Sequence, residues 1–105
     1  MKVIWHSQAE DAMRQIANYI RRQFGAKRKK TFLEEVRSTT MILRRSPNIG
    51  PIDPLFDDRP IAYRSVIING LSKMVYRVDD EKDVVYIVAF WDTRKEPQNQ
   101  VDQVK

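Results

Sequence analysis

The run Val84-Val85-Tyr86-Ile87-Val88-Ala89-Phe90-Trp91 is the most continuously apolar stretch of the 105-residue chain. Its length and its β-branched and aromatic residues predict a strand. Because the run does not alternate with polar residues, we expect this strand to lie at the centre of a sheet and to be covered on at least one face. The polar turn Asp79–Asp83 comes directly before it.

Two further strands precede that turn, Tyr63–Ile68 and Lys73–Val78, joined by an Asn-Gly pair that tolerates positive φ. In the second of them, apolar and charged residues alternate, so Met74, Tyr76 and Val78 should face a core while Lys73 and Arg77 project outward. Arg64 and Arg94, at neighbouring strand ends, are expected to converge on that same side. Clustered cations of this kind suit an anionic ligand.

Upstream, Val3-Ile4-Trp5 predicts a first strand and Ser7-Gln8-Ala9-Glu10 a capping box at the start of a helix. Apolar residues at helical spacing define the inner face of this helix, namely Ala9, Met13, Ile16, Ile20 and Phe24. Gly25 should end it. A second helix should follow, with its inner face at Phe32, Val36 and Leu43 and its bounds at Ala26–Arg45. Residues 47–60 are rich in proline and predict an irregular loop.

The order β-α-α-β-β-β predicts an α+β domain in which a helical hairpin packs on one face of a largely antiparallel sheet. We assign this domain to residues 1–97 and a frayed polar tail to residues 98–105. The other face of the sheet must be open or covered by something else, for example by a second copy in a homodimer.

Composition narrows the class of protein. The chain has a net charge of +5, 42% hydrophobic residues and no cysteine, so disulfide scaffolds and thiolate metal sites are excluded. No apolar run is long enough to cross a membrane, and we expect a soluble cytoplasmic domain. Six of the ten residues from 21 to 30 are cationic, which raises the chance of an anionic partner.

The common catalytic and metal-binding patterns are missing. His6 is the single histidine and has no second histidine or cysteine with which to share a metal. The acids of Asp79–Asp83 lack the spacing of a calcium loop, and the three glycines are too scattered for a phosphate loop. The sequence therefore predicts no metal site and no cofactor.

The chain resembles the RelE/ParE superfamily of toxins from bacterial type II toxin–antitoxin, or plasmid stabilisation, modules. The resemblance covers roughly residues 3–97 and rests on the helix pair, Tyr63-Arg64, Lys73–Val78 and the closing segment Trp91-Asp92-Thr93-Arg94-Lys95-Glu96-Pro97. That closing segment is similar to the ParE-like branch. The resemblance implies the fold predicted above and a cognate antitoxin whose C-terminal segment wraps the toxin.

Two activities occur on this scaffold, so the resemblance alone does not decide between them. RelE-like members cleave mRNA on the ribosome without a metal, with lysines and arginines over the sheet and a tyrosine or histidine near the C-terminus. Carried over by position, the catalytic residues would be Arg64, Lys73 and Arg94. A second basic position falls on the apolar Val66, and the C-terminal tyrosine or histidine would fall near Gln100, where the tail has neither.

These gaps favour the ParE-like alternative, a toxin that acts by binding and whose expected target is DNA gyrase. Arg77, Arg94 and Trp91 are then the predicted target contacts. The alternatives that stay open are the mRNA endonuclease and a non-toxic binding module.

In each case the antitoxin is expected in the groove between the first helix and the sheet. The predicted antitoxin contacts are Arg21, Arg22, Phe24, Lys27 and Arg28. These cations could attract an acidic antitoxin over long range. Trp5 and Trp91 are candidate contact aromatics, with the core as their alternative location.

Overall fold

The computed structural model describes residues 1–94, 101 and 104 of the chain. The elements are β1 (Lys2–Trp5), α1 (Ser7–Phe24), α2 (Ala26–Arg45), one 3-10 turn (Pro54–Phe56), β2 (Arg64–Ile68), β3 (Ser72–Asp79) and β4 (Val84–Asp92). The predicted β-α-α-β-β-β order is confirmed, and the bounds of the second helix are those predicted. Asn69 and Gly70 both adopt positive φ in the β2–β3 turn, as expected.

The four strands form one mixed sheet in the order β1-β4-β3-β2. The apolar run therefore occupies an inner strand, as predicted, with β1 parallel to it on one side and β3 antiparallel on the other. A register shift falls between Val75 and Tyr76: they pair with Ala89 and Ile87, so Val88 of β4 has no partner on β3. This one-residue bulge lets Val88 and Ala89 both reach the same side of the sheet.

The helical hairpin covers one side of the sheet, called here the first face. Its buried residues are Ala9, Ala17, Phe32, Val36 and Leu43, and they pack against Ile68, Met74, Tyr76, Val85, Ile87 and Phe90. Trp5 joins this core, with its ring centroid 6.1 Å from that of Phe90. The inner face predicted for α2 is confirmed, but Phe24 at the end of α1 is 61% exposed and leaves the core.

The second face of the sheet is covered too. A second core there contains Phe56, Tyr63, Val75, Val88, Ala89, Trp91, Val101 and Val104. It is supplied by the loop before β2 and by the C-terminal segment, whose carbonyls at Val101 and Val104 accept hydrogen bonds from Arg59. The expectation of a frayed end is wrong at these two positions. The other residues beyond Arg94, including the predicted motif residues 95–97 and Gln100, lie outside the described residues.

The predicted capping box is absent. His6, not Ser7, is the N-cap residue of α1, and no side chain caps this end. The backbone N–H of Glu10 donates to His6 O at 3.0 Å, so the helical hydrogen bonds already begin at His6, one residue earlier than the pattern suggested. The Glu10 carboxylate binds Arg14 instead of reaching back to the cap.

The proline-rich loop is more ordered than predicted. It contains the 3-10 turn at Pro54–Phe56 and a β-bridge between Ile52 and Arg64. Its start is fixed by the buried Tyr76, whose hydroxyl donates to Pro47 O at 2.7 Å and accepts the Gly50 N–H at 3.0 Å. Burial raises the pKa of Tyr76, so the hydroxyl keeps the proton it donates. The loop thus follows a path that β3 determines.

Gly50 is the position where this path leaves no room for a side chain. A Cβ atom there would come within 2.7 Å of Ser65 O and 2.8 Å of the Tyr76 hydroxyl. We expect Gly50→Ala to lower the free energy of unfolding by about 1–3 kcal/mol through overpacking. Urea denaturation measures this loss, with Asn48→Ala in the same loop as the control. Equal stability of the two variants would contradict the prediction.

Candidate functional site

The predicted site cations do not converge on one surface. Arg64 lies opposite Tyr76 in the β2–β3 register, and side chains at paired positions share a face, so Arg64 is on the first face. Lys73 and Arg77 alternate with Tyr76 along β3 and lie on the second face. Arg94 follows β4 and lines a groove on the helix side. The expectation that Arg64 and Arg94 join Lys73 and Arg77 on one side is therefore wrong.

Arg64 is engaged by the loop before β2. Its guanidinium donates to Gly50 O at 2.8 Å and to Asn48 O at 3.3 Å. Those two carbonyls belong to the same loop segment that Tyr76 holds from its hydroxyl. Arg64 thus supports the loop through its Nη1 group, which donates to both backbone oxygens.

Lys73 is engaged by a buried carboxylate. Its ammonium lies 2.8 Å from the Asp53 side chain, which is 1% exposed, while the Lys73 side chain is 19% exposed. The Leu55 N–H also donates to Asp53, and the Lys73 ammonium sits 5.6 Å from the centroid of the Trp91 ring. Lys73 lies on the predicted face, but the loop covers it.

The protonation of Asp53 follows from this environment. Burial acts to raise the pKa of Asp53, but hydrogen bonds from Lys73, the Leu55 N–H and Ser65, together with the charge of Lys73, outweigh it and hold this pKa below its usual value. The carboxylate is therefore charged at neutral pH and fixes the ammonium of Lys73 in place. This pair ties β3 to the loop through the second core.

Removal of Lys73 should destabilise the protein in a pH-dependent way. Lys73→Met leaves a buried carboxylate without its cation, and we expect a loss of about 3 kcal/mol at about pH 7. The pKa of Asp53 then rises, so the deficit should shrink as the pH falls toward about 4 and the carboxyl is protonated. In the unaltered protein the same group contributes stability above its unfolded pKa of about 3.9, and this contribution is lost at lower pH.

Urea denaturation at both pH values measures this effect. Lys82→Met, in the exposed β3–β4 turn, is the matched control and should change stability by less than about 0.5 kcal/mol. A deficit for Lys73→Met that is the same at both pH values would mean that only packing was lost.

Arg77 forms a different kind of contact on the second face. Its guanidinium carbon lies 4.3 Å from the centroid of the Tyr86 ring. The ring centroid of His6, which follows β1, lies 5.7 Å from that of Tyr86. Arg77 is half-buried and has no carboxylate partner within the described part of the chain. Trp91, predicted as a target contact, is 4% exposed and packs near Phe56, so little of its surface is available to a partner.

The principal cavity lies on the helix side and is called here the groove. It has a volume of about 1080 Å³ between α1, the start of α2, the β2–β3 turn and the end of β4. Its floor includes the buried Phe32 and Phe90, and its rim carries exposed Tyr19, Phe24 and Leu71. The groove is therefore apolar inside and open to solvent.

Charged residues of both signs line the groove, with the carboxylates of Asp11 and Asp92 beside three arginines. Arg22, Arg28 and Arg94 line it, whereas Arg21 and Lys27 do not, so the predicted antitoxin set is divided between the groove and its outer side. The Arg28 guanidinium carbon lies 5.7 Å from the centroid of the Phe24 ring. The side chain of Arg94 is 62% exposed and pairs with Asp92, whose hydrogen bond and charge raise the pKa of Arg94.

Tyr19 and Leu71 were not predicted as groove residues. Tyr19 lies three residues after Ile16, next to the apolar face of α1. It makes the apolar stripe of this helix wider than the core requires. The width of this stripe in the sequence indicates an apolar surface in addition to the core. Leu71 follows the turn residues and carries no comparable pattern.

The described residues show neither a grouping of metal ligands nor a helix able to span a membrane. Across residues 1–94, 101 and 104, no three histidine or carboxylate side chains are grouped as metal ligands would be. In the same part of the chain, no helix combines the length and the apolar character needed to cross a bilayer.

Comparison with known proteins identifies the class. A family model described as the ParE toxin of the type II toxin–antitoxin system parDE matches residues 3–97. The protein is thus a toxin of a type II toxin–antitoxin system. The chain belongs to the ParE toxin family within the RelE/ParE superfamily, which confirms the resemblance, and this membership implies a cognate antitoxin as partner. No curated protein matches the sequence significantly.

Solved structures share the fold. A chain of the chromosomal ParDE toxin–antitoxin system from P. aeruginosa is 15% identical with a TM-score of 0.69, covering 88% of this chain and 95% of that one. A YoeB/ParE toxin from Agrobacterium tumefaciens is 21% identical with a TM-score of 0.59, covering 88% and 98%. The isolated E. coli RelE toxin is 16% identical with a TM-score of 0.60, covering 99% and 98%. At these identities the likeness concerns the fold.

Proposed function

We propose that this toxin arrests growth by binding DNA gyrase and that it does not cleave mRNA. The observation that carries the proposal is the ion pair between Lys73 and Asp53. Metal-free RNA cleavage needs cations that stabilise charge on the phosphorus and groups that move protons to and from oxygen. Lys73, the lysine that the resemblance would assign to this work, is held at 2.8 Å by a carboxylate that is itself buried.

The other residues of the nuclease alternative support the same conclusion. One guanidinium nitrogen of Arg64, Nη1, donates to two loop carbonyls, and Arg94 lines the groove on the side of the sheet opposite Lys73. A phosphate held by Lys73 could not be held by Arg94 at the same time. The three cations are thus arranged for separate tasks instead of one reaction.

The same proposal includes the antitoxin site. A segment of the antitoxin should lie in the groove with apolar side chains toward Phe32 and Phe90 and with acidic ones toward Arg22, Arg28 and Arg94. Arg21 and Lys27, outside the groove, should accelerate its approach by long-range attraction. A segment bound there covers Arg94, so neutralisation follows directly if Arg94 contacts the target.

The target is tested by inducing the protein in bacteria without its antitoxin. We expect gyrase-linked DNA breaks and a change in supercoiling while transcripts stay intact. Cuts at ribosomal A-site codons would contradict the proposal and support the endonuclease. Growth without any defect, from a protein shown to be folded, would support a non-toxic binding module.

The predicted target contacts are tested by single substitutions, because Arg77 and Arg94 lie on opposite faces. We expect Arg94→Ala to weaken inhibition of purified gyrase about 10-fold, since an exposed guanidinium at an interface contributes on this scale. Arg77→Ala should have a smaller effect, because a partner in the groove would not cover it. Arg45→Ala, at the far end of α2, is the matched control, and thermal unfolding verifies that each variant is folded. If Arg94→Ala behaves like Arg45→Ala, the assignment of Arg94 is wrong.

The antitoxin contact is tested at Phe24, whose ring is exposed on the groove rim. We expect Phe24→Ser to raise the Kd for the antitoxin about 30-fold, as truncation of a central aromatic contact does. Met41→Ser removes a comparably exposed apolar side chain of α2 that is not part of the groove, and it should leave the Kd unchanged. Equal effects of the two substitutions would contradict this docking site.

A further inference from the structure

The junction of α1 and α2 carries the strongest charge of the molecule. The six cations from 21 to 30 are here called the basic tip: Arg21, Arg22, Lys27, Arg28, Lys29 and Lys30. Arg22 and Arg28 line the groove, whereas Arg21, Lys27 and Lys30 lie outside it and are exposed. These last three residues form the outer side of the tip.

No acidic side chain among residues 1–94, 101 and 104 pairs with the outer side. Within the described residues, the ion pairs are formed by Arg14, Arg59, Lys73 and Arg94, and none involves the basic tip. Of the six cations, Lys29 donates to Asn18 at 3.1 Å, and Arg28 lies near the ring of Phe24. Arg21, Lys27 and Lys30 make no side-chain bond within the described part of the chain. Their charge is available to a partner.

This concentration of charge opposes the local stability of α2, although Arg21 and Arg22 lie in the last turn of α1, where the helix dipole favours cations. The first turn of α2 has no acidic residue and no side-chain cap, and it contains Lys27 and Arg28. Cations near a helix N-terminus are unfavourable because the peptide dipoles give that end a partial positive charge. Lys27 and Lys30 are also like charges three residues apart on one helix. Residues that work against their own helix are expected where function requires them.

The chemistry of the outer side favours nucleic acid over an acidic protein. A protein interface needs an apolar core, and Phe24, the one large apolar residue of positions 21–30, faces the groove. Within positions 21–30 the outer side thus offers charge without a large apolar side chain, and the exposed Leu33 lies one turn beyond Lys30. A phosphate backbone can be bound by charge alone, through release of its counterions, which makes the affinity strongly dependent on salt.

From these observations we infer that Arg21, Lys27 and Lys30 bind the phosphate backbone of duplex DNA and hold the toxin at its target on the DNA. The inference deepens the proposed function and rests on it, because gyrase acts on duplex DNA. It assigns the two sides of the hairpin end to different partners. The groove side takes the antitoxin segment, and the outer side contacts the nucleic acid.

Fluorescence anisotropy with a labelled duplex of random sequence tests the inference. Three phosphate contacts predict a slope of about −2.7 for log K against log salt, a loss of about 40-fold in affinity between 50 and 200 mM salt. The triple variant Arg21→Gln/Lys27→Gln/Lys30→Gln should lose this affinity and most of the slope. The variant should fold normally because the three side chains are exposed and unbonded within the described residues.

A control variant that also loses three positive charges shows whether binding depends on the basic tip or only on net charge. Lys2→Gln/Arg45→Gln/Lys82→Gln removes three exposed cations of β1, the C-terminal end of α2 and the β3–β4 turn. It should bind the duplex like the unaltered protein. Equal loss in the two triple variants would overturn the inference, and so would tighter binding of single-stranded RNA or of polyglutamate than of the duplex.

Gyrase inhibition distinguishes a failure of this inference from a failure of the proposed function. We expect the tip variant to need about 10-fold more protein for half-inhibition of supercoiling, with antitoxin affinity assayed in parallel. If the unaltered toxin does not inhibit gyrase, the proposed function fails, whatever the DNA affinity. If it inhibits gyrase and the tip variant inhibits equally, the proposed function stands and the inference is overturned.

Discussion

Strand β4 carries apolar side chains on both faces, and neither face can be left in water without a large cost in free energy. The helical hairpin meets this requirement on the first face. On the second face, the loop before β2 and the C-terminal segment supply Phe56, Val101 and Val104. The ion pair of Lys73 with Asp53 and the two hydrogen bonds of the Tyr76 hydroxyl fix that loop to β3. The cover of the sheet therefore depends on polar groups as much as on apolar ones.

This arrangement explains why basic residues on one scaffold can serve different ends. A lysine and an arginine on a bare sheet can hold a phosphate, but the same residue types beneath a loop become supports for that loop. In this protein Arg64 binds two carbonyls and Lys73 binds a buried carboxylate, so both act within the fold. More exposed cations lie at the hairpin end and beyond β4, where Arg94 pairs with Asp92 at the surface. Binding surfaces and structural supports are thus separated along the chain.

The sequence predicted most of the fold and less of the candidate site. Periodicity located both helices, and the apolar run located the inner strand, because these patterns follow directly from burial. The second core could not be predicted, since Val101 and Val104 stand in a polar segment and their burial depends on Arg59, about forty residues away. The separation of Arg64 from Lys73 follows from the register of β2 against β3, which alternation within one strand does not give. The capping box also failed, because the His6 carbonyl, which belongs to a residue that β4 binds through its N–H, accepts the first helical hydrogen bond of α1.

The parallel pairing of β1 with β4 has a consequence for how the protein is made. β4 is the last of the four strands to be synthesised, yet it lies between β1 and β3 and pairs with both. The helical hairpin can form early from local contacts, but its apolar face has no sheet to pack on until β4 is available. The groove needs the end of β4 as one of its walls, so neither it nor the completed toxin exists on a nascent chain that stops short of Asp92. A fragment that ends anywhere upstream of β4 would therefore lack the inner strand of the sheet and one wall of the groove.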